Sequence, residues 1–596
     1  MQTLELGRYA EAMRASLQRL TASRYLPRLW EADASLWSAD PKVQAAITHR
    51  LGWLRIAGVM AARTADITAF AAEIRAEGFT HALLLGMGGS GLFSEVCRKT
   101  FGPTAQEKQG HPERGGAESR DNRIGPGIDL TVLDTTDPAA IRAAQAQCPL
   151  KQLLIIVSSK SGATSEVSAL SRHFSHAFEQ AALPAAQHFI AITDAGTPLE
   201  AQATTQAYRR LFVHGPATGA DVGGRFSALT YFGLVPAALM GLDIGQLLGR
   251  AQEMLVQCGP DQPLKTHPAA QLGAALAALA DAGRDKLTLL CAPELASFGT
   301  WVEQLIAEST GKSGKGIAPF FGELIREASA YGPDRVFVEL QLGSRLDRGV
   351  ERAVQALRDA GHPLIRIHWQ DAYDLGGEVM KWSMATAVTG GLMGIDPFDE
   401  PNVQESKDRT KALLQEHAKA KRFTAEAPSC FADEAVQVTG IGSAGPGGSL
   451  ARCLGEWLQL LRPKDYVALL SFLPRTAALD AAVAALRARI GQQLGCATAL
   501  GFGPRYLHST GQLYKGGPDD AIFLLVTAEE TEDLPIPGEP FTFGVLKYAQ
   551  ALGDFQAMRQ KRRRVLHVHL RGAPDRSLAR FAAALDEAMA SVPARS

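Results

Sequence analysis

The 596-residue sequence has no CxxC pair, no unbroken apolar run of about 20 residues and no surplus of either charge. Each absence closes off a class of protein. Its seven cysteines (Cys97, Cys148, Cys258, Cys291, Cys430, Cys453 and Cys496) are scattered and odd in number, so reduced, mostly buried thiols are expected rather than a disulfide framework. The most apolar long stretch, 226–242, contains Pro236 and is shorter than the ~20 residues of a membrane span. Lys plus Arg number 61 against 62 acidic residues, so no global field recruits nucleic acid or anionic lipid, and any anion site must be local. The first twenty residues, MQTLELGRYAEAMRASLQRL, read as a polar amphipathic helix without a signal peptide's apolar core. The expectation is a soluble, cytoplasmic protein.

What is present is an α/β rhythm. Residues 1–75 carry apolar positions at helical spacing and read as an N-terminal helical segment. Short apolar runs separated by helical patterns follow: HALLLG (81–86), LTVLD (130–134), LLIIVSS (153–159), FIAITD (189–194) and RLFVHG (210–215). Continuous apolar strands with helices between them indicate a parallel sheet covered on both faces, and hence a first doubly wound domain over 76–227. A polar, Gly-rich insertion at 103–127 has no apolar period and reads as disordered surface chain. After a helical bridge (228–283) a second domain of the same type (284–429) restarts with LTLLCAP (287–293), RVFVEL (335–340) and LIRIHW (364–369). A C-terminal α/β domain (430–596) carries YVALLSFL (466–473), AIFLLVT (521–527) and VLHVHL (565–570).

Two turns carry chemistry. Gly86-Met87-Gly88-Gly89-Ser90-Gly91, after the first strand, fits the GxGxxG of a dinucleotide site. The acidic residue normally found about 20 positions on is missing, the nearest strand-end acid being Asp134. The second turn, Ser158-Ser159-Lys160-Ser161-Gly162-Ala163-Thr164-Ser165-Glu166, leads from a buried strand into a helix. An ordinary Ser/Thr helix cap accounts for one or two such residues. Hydroxyls, a lysine and free N–H groups gathered at a helix start suit one phosphate. A glycine turn beside a hydroxyl turn fits a monophosphate on a small body better than a dinucleotide.

At these turns the sequence resembles the sugar isomerase (SIS) domain, and three later segments resemble the phosphoglucose isomerase family. Gly223-Gly224-Arg225-Phe226-Ser227 is similar to its GGRxS segment, and Gln304–Lys312 (QLIAESTGK) to its QxxxESNGK segment, with Thr310 in place of Asn. Asp396–Lys407 (DPFDEPNVQESK) is similar to its NxFDQ…VExGK ending. The likeness spans about residues 80–407. It is nearest to the isomerase portion of bacterial transaldolase/phosphoglucose isomerase fusions, which also carry a segment like RYLHSTGQL (505–513). The stretch before residue 80 is too short for an eight-stranded barrel, so no transaldolase activity is expected.

The resemblance implies interconversion of glucose 6-phosphate and fructose 6-phosphate through a cis-enediolate, in a homodimer, with no cofactor and no metal. Glu308 would be the base that moves the proton between C2 and C1, and Arg225 would stabilise the enediolate oxygen. Lys407 and His508 would serve ring opening. Ser159, Lys160, Ser161 and Thr164 would hold the phosphate, with Gln304 beside it and Gly89 and Ser90 closing over the sugar. Two departures stand out. Glu400 occupies the position of a phosphate-side glutamine and would repel a dianion unless turned away or protonated. The family's ring-opening histidine precedes the lysine and comes from the partner subunit, whereas His508 follows Lys407. Three other readings stay open: a dual phosphoglucose/phosphomannose isomerase, a non-catalytic sugar-phosphate regulator, and a dehydrogenase using the glycine turn. His567 and His569 share a strand face but lack further ligands, so they read as core or surface histidines rather than a metal site.

Overall fold

The computed structural model describes residues 1–102, 125–216, 218–343, 348–423, 429–440 and 448–591. The predicted disordered insertion at 103–127 lies almost wholly outside the described residues. The N-terminus differs from the sequence reading: Gln2–Glu5 is a strand (β1), and the first α-helix, Ala10–Ala22, begins only after it.

Every apolar run identified above is a strand. The first sheet holds β2 (His81–Gly86), β3 (Asp129–Leu133), β4 (Leu153–Ser158), β5 (Phe189–Asp194) and β6 (Arg210–His214), all parallel, in the order β3-β2-β4-β5-β6. β4 is buried along its whole length, as a central strand covered on both faces must be. The chain winds one way from β2 and the other way from β4, so the crevice at their carboxyl ends is the switch point where such sheets bind ligands. The register sets Gly86 opposite Ser158 and so brings the glycine and hydroxyl turns side by side.

The second sheet contains β7 (Lys286–Cys291), β8 (Ala318–Phe321), β9 (Arg335–Leu342) and β10 (Leu364–Trp369), in the order β1-β10-β9-β7-β8, with β1 the only antiparallel member. The third comprises β11 (Ser429–Ala432), β12 (Val436–Thr439), β13 (Tyr466–Phe472), β14 (Thr498–Phe502), β15 (Ala521–Ala528) and β16 (Arg564–Leu570), in the order β11-β12-β16-β15-β13-β14. Its last four strands in sequence are parallel, and the β11–β12 hairpin closes one edge in antiparallel fashion.

One buried helix of the third domain ties it to the rest through an ion pair to Asp137 and a hydrogen bond to Ser406, backed by ion pairs within the domain. Asp554, on the helix Phe543–Gln560, accepts from Lys515 Nζ (2.7 Å), Tyr506 Oη (2.7 Å) and Ser406 Oγ (3.0 Å). On the same helix Lys547 Nζ reaches Asp137 (2.7 Å) and Glu530 (2.5 Å). Lys515 and Asp554 are 1% and 0% exposed, so each charge is tolerated only because the other is there. Asp554→Ala should therefore strand Lys515 and cost about 3–5 kcal/mol in stability, read by urea denaturation. A variant as stable as the wild type would show that the pair does not matter.

Candidate active site

The glycine turn is shaped by the chain packed against it. A Cβ on Gly89 would lie 2.0 Å from the Gly224 carbonyl oxygen, and one on Gly88 (φ +52°) would lie 2.9 Å from the His508 carbonyl oxygen. Glycine is required here because the GGRFS segment and the His508 loop occupy the space above the turn. A pyrophosphate would need that same space, which weighs against the dinucleotide reading. Ser227 Oγ donates to Gly224 O (2.6 Å), and Ser158 Oγ to Ser90 O (2.6 Å), fixing both turns.

In the hydroxyl turn, Ser159 Oγ and Thr164 Oγ1 lie 3.0 Å apart, and Gly162 (φ +63°) makes the bend between them. Thr164 occupies the N-cap of the helix Ser165–Gln180, yet its hydroxyl makes no capping bond, so the turn keeps polar groups unspent at a helix N-terminus. Ser161 is exposed at the tip. Lys160 departs from the sequence reading. Its Nζ is held by Asp194 Oδ2 (2.5 Å) and by the Ala220 carbonyl (3.3 Å), so its charge is already partnered at the end of β5.

The second sheet supplies the acid–base groups. The helix Ala296–Thr310 follows β7 and puts Gln304 and Glu308 on one face, four residues apart. Gln304 Nε2 donates to Glu308 Oε2 (3.1 Å) and to the His508 carbonyl (2.9 Å). Arg225, 2% exposed, donates from Nε to Ser309 Oγ (2.7 Å), from Nη2 to the Pro397 (2.7 Å) and Asp399 (2.9 Å) carbonyls and from Nη1 to Glu400 Oε2 (3.0 Å), and Nη1 forms an ion pair with Glu308 Oε1 (3.1 Å). Burial raises the Glu308 carboxyl above its ordinary value, Arg225 opposes the rise, and the charge of Glu400 reinforces it. For Glu400, burial is overcome by Arg225 and Arg50, and its carboxyl is held below the usual range. Glu400 thus turns towards two arginines, Arg50 lying 3.4 Å away. Burial, helped by Arg225, brings the Lys312 ammonium down to about 8 despite its ion pair with Asp399 (2.6 Å).

The third sheet brings the histidine. β14 runs into the turn Arg505–His508, and His508 Nε2 lies 2.8 Å from Glu166 Oε1 within the same chain. Glu166 also accepts from Gln550 Nε2 (2.8 Å) and Ser165 Oγ (2.9 Å). Burial alone would raise the Glu166 carboxyl, but the charge and hydrogen bond of His508 outweigh it and hold it at about 2. Glu166 closes the hydroxyl turn, and no local pattern marks its role because its partner is 342 residues away. Lys407 stands exposed on the helix Val403–Ala420, joined to Glu308, Arg225 and His508 by no hydrogen bond or ion pair. His567 and His569 both bond Thr527 Oγ1 at 2.8 Å, and among the described residues no group of three or more His, Cys, Asp or Glu could hold a metal. No helix among those residues is long and apolar enough to cross a membrane.

No family model matches the chain. It is 30% identical over 321 residues to the probable glucose-6-phosphate isomerase of Haloarcula marismortui, a match covering 48% of this chain and 72% of that one. The chain belongs to the glucose-6-phosphate isomerase family. A glucose-6-phosphate isomerase from a Synechococcus strain is 27% identical over 378 residues, covering 56% of this chain and 66% of the relative. The likeness to these members of the glucose-6-phosphate isomerase family therefore extends over only about half of this chain. In fold, the chain is similar to the crystal structure of a glucose-6-phosphate isomerase from Chlamydia trachomatis, with a TM-score of 0.51 and 16% identity over 68% of this chain and 86% of that one.

Since Glu166 titrates lower in the folded protein than the ordinary carboxylate value, the stability it contributes is present above that ordinary value and is lost as pH falls towards about 2. Glu166→Gln should therefore be less stable than the wild type at pH 7, with the gap clearly narrower at pH 3. Urea midpoints at the two pH values check this. A gap independent of pH would contradict the ionised pairing.

Proposed function

We propose that this protein interconverts glucose 6-phosphate and fructose 6-phosphate through a cis-enediolate, with Glu308 as the base. The observation that carries the reading is the carboxylate of Glu308, buried between a guanidinium and an amide, with that amide bonded to the carbonyl of His508 and His508 paired with Glu166 at the end of the hydroxyl turn. An aldose–ketose shift needs one group to take the proton from C2 and return it to C1. A carboxyl raised by burial is suited to both halves of that task.

In this reading the phosphate lies on Ser159, Ser161 and Thr164 with the backbone N–H groups of the turn. Lys160, whose ammonium is spoken for by Asp194, contributes through its main chain. Gln304 lies beside the phosphate by its motif position, where its buried, unpartnered Oε1 can accept from a sugar hydroxyl, and Gly89 and Ser90 flank the sugar. Arg225, whose Nη1 already lies between Glu308 and Glu400, stabilises the enediolate through its positive charge rather than through an unspent donor. His508 exchanges the proton of the ring oxygen, and ionised Glu166 stabilises the imidazolium that forms. Lys407 enters by its motif position, as carrier of the C1 hydroxyl proton.

A coupled assay of fructose 6-phosphate conversion tests the base. Glu308→Gln should lower turnover by about two orders of magnitude or more. Equal rates would remove Glu308 from its role. Glu400→Gln gives a second test with a worked sign. Losing the neighbouring negative charge lowers the Glu308 carboxyl, so the acid limb of kcat/KM against pH should move to lower pH. An unmoved or upward-shifted limb would separate that limb from Glu308.

A further inference from the structure

We infer that Gln550 is a positioning residue for the His508–Glu166 pair, an inference that rests on the function proposed above. Gln550 is 3% exposed on the helix Phe543–Gln560 of the third sheet. The direction of its hydrogen bonds is fixed by chemistry. The ionised Glu166 carboxylate can only accept, so the amide must turn its Nε2–H towards Oε1 (2.8 Å). Its own Oε1 then faces Thr136, whose hydroxyl must donate (2.9 Å). The buried chain runs one way, from Thr136 through Gln550 to Glu166, where His508 Nε2 meets the same oxygen from the other side.

This arrangement has two consequences. With Glu166 kept as an acceptor, Nε2 of His508 carries its proton and Nδ1 is the nitrogen left for the substrate. With two donors on one oxygen, Gln550 also draws on the lone pairs that would otherwise go to the imidazolium. The helix is registered for the purpose by its neighbours. Lys547, one turn earlier, grips Asp137 beside Thr136, and Asp554, one turn later, grips Tyr506 and Lys515 on either side of His508.

The test uses the full-length protein and two variants, Gln550→Leu and Thr136→Val, the second removing only the hydroxyl that orients the amide. Two quantities are measured: the titration midpoint of His508 by 15N NMR, and kcat and KM for fructose 6-phosphate. Gln550→Leu should move the His508 midpoint up by half a unit or more, since the unshared carboxylate then favours the imidazolium. It should lower kcat about three- to tenfold with KM within twofold. Thr136→Val should shift both in the same direction by less, and it carries the test if Gln550→Leu does not fold. An unchanged midpoint and kcat in a folded variant would overturn the inference. A wild type that does not convert the sugar would overturn the proposed function alone, because the His508 titration reports on Gln550 without turnover.

Discussion

The buried guanidinium of Arg225 is the interaction on which the site depends. An uncompensated charge at that depth would be costly, so the chain gathers five partners round it from two segments: Glu308 and Ser309 from one, and Glu400 with the carbonyls of Pro397 and Asp399 from the other. Satisfying the arginine thereby draws together the GGRFS turn, the helix that carries the base, and the 396–400 segment. The same demand explains the glutamate at position 400. Beside a dianion it would be repulsive. Beside Arg225 and Arg50 it is neutralised, and its remaining influence is to raise the proton affinity of Glu308.

A second constraint is topological. Parallel sheets present their strand ends on one side, and here turns at the carboxyl ends of strands in the first and third sheets meet the far end of the helix that follows β7. The first contributes the glycine and hydroxyl turns, the second Gln304 and Glu308, and the third His508. Sheets from distant parts of the chain hold such an alignment only if the contacts between them are specific. Two of those contacts are buried on the helix Phe543–Gln560: Lys547 pairs with Asp137, and Asp554 accepts from Ser406. His508 reaches Glu166 from within the chain, so the histidine's late position in the sequence is no obstacle to its role.

The framework was largely legible in the sequence, because a buried parallel strand must be apolar along its length and LLIIV can scarcely be anything else. The strands that escaped notice are β1, β8, β11, β12 and β14. They are short or mixed, as in QTLE, SCFA and VQVT, and most lie at sheet edges where one face need not be apolar. In the candidate site, the hydroxyl turn and the Glu308 segment stood out because their residue types are unusual after a strand or on a helix. Pairings across the fold did not. Lys160 meets Asp194 because β4 and β5 are neighbours, and Glu166 meets His508 because two sheets dock. Lys407 shows the converse, a residue marked by its motif whose side chain is exposed and makes no hydrogen bond or ion pair to Glu308, Arg225 or His508.

The central claim is that a carboxylic base moves a proton through an enediolate. Fructose 6-phosphate incubated with the protein in D2O, and followed by NMR, addresses it most directly. The account predicts deuterium at C2 of the glucose 6-phosphate formed and at C1 of the remaining ketose, since a proton held by Glu308 can exchange with solvent before it is returned. Conversion with no deuterium at either carbon would point to hydride transfer and contradict it.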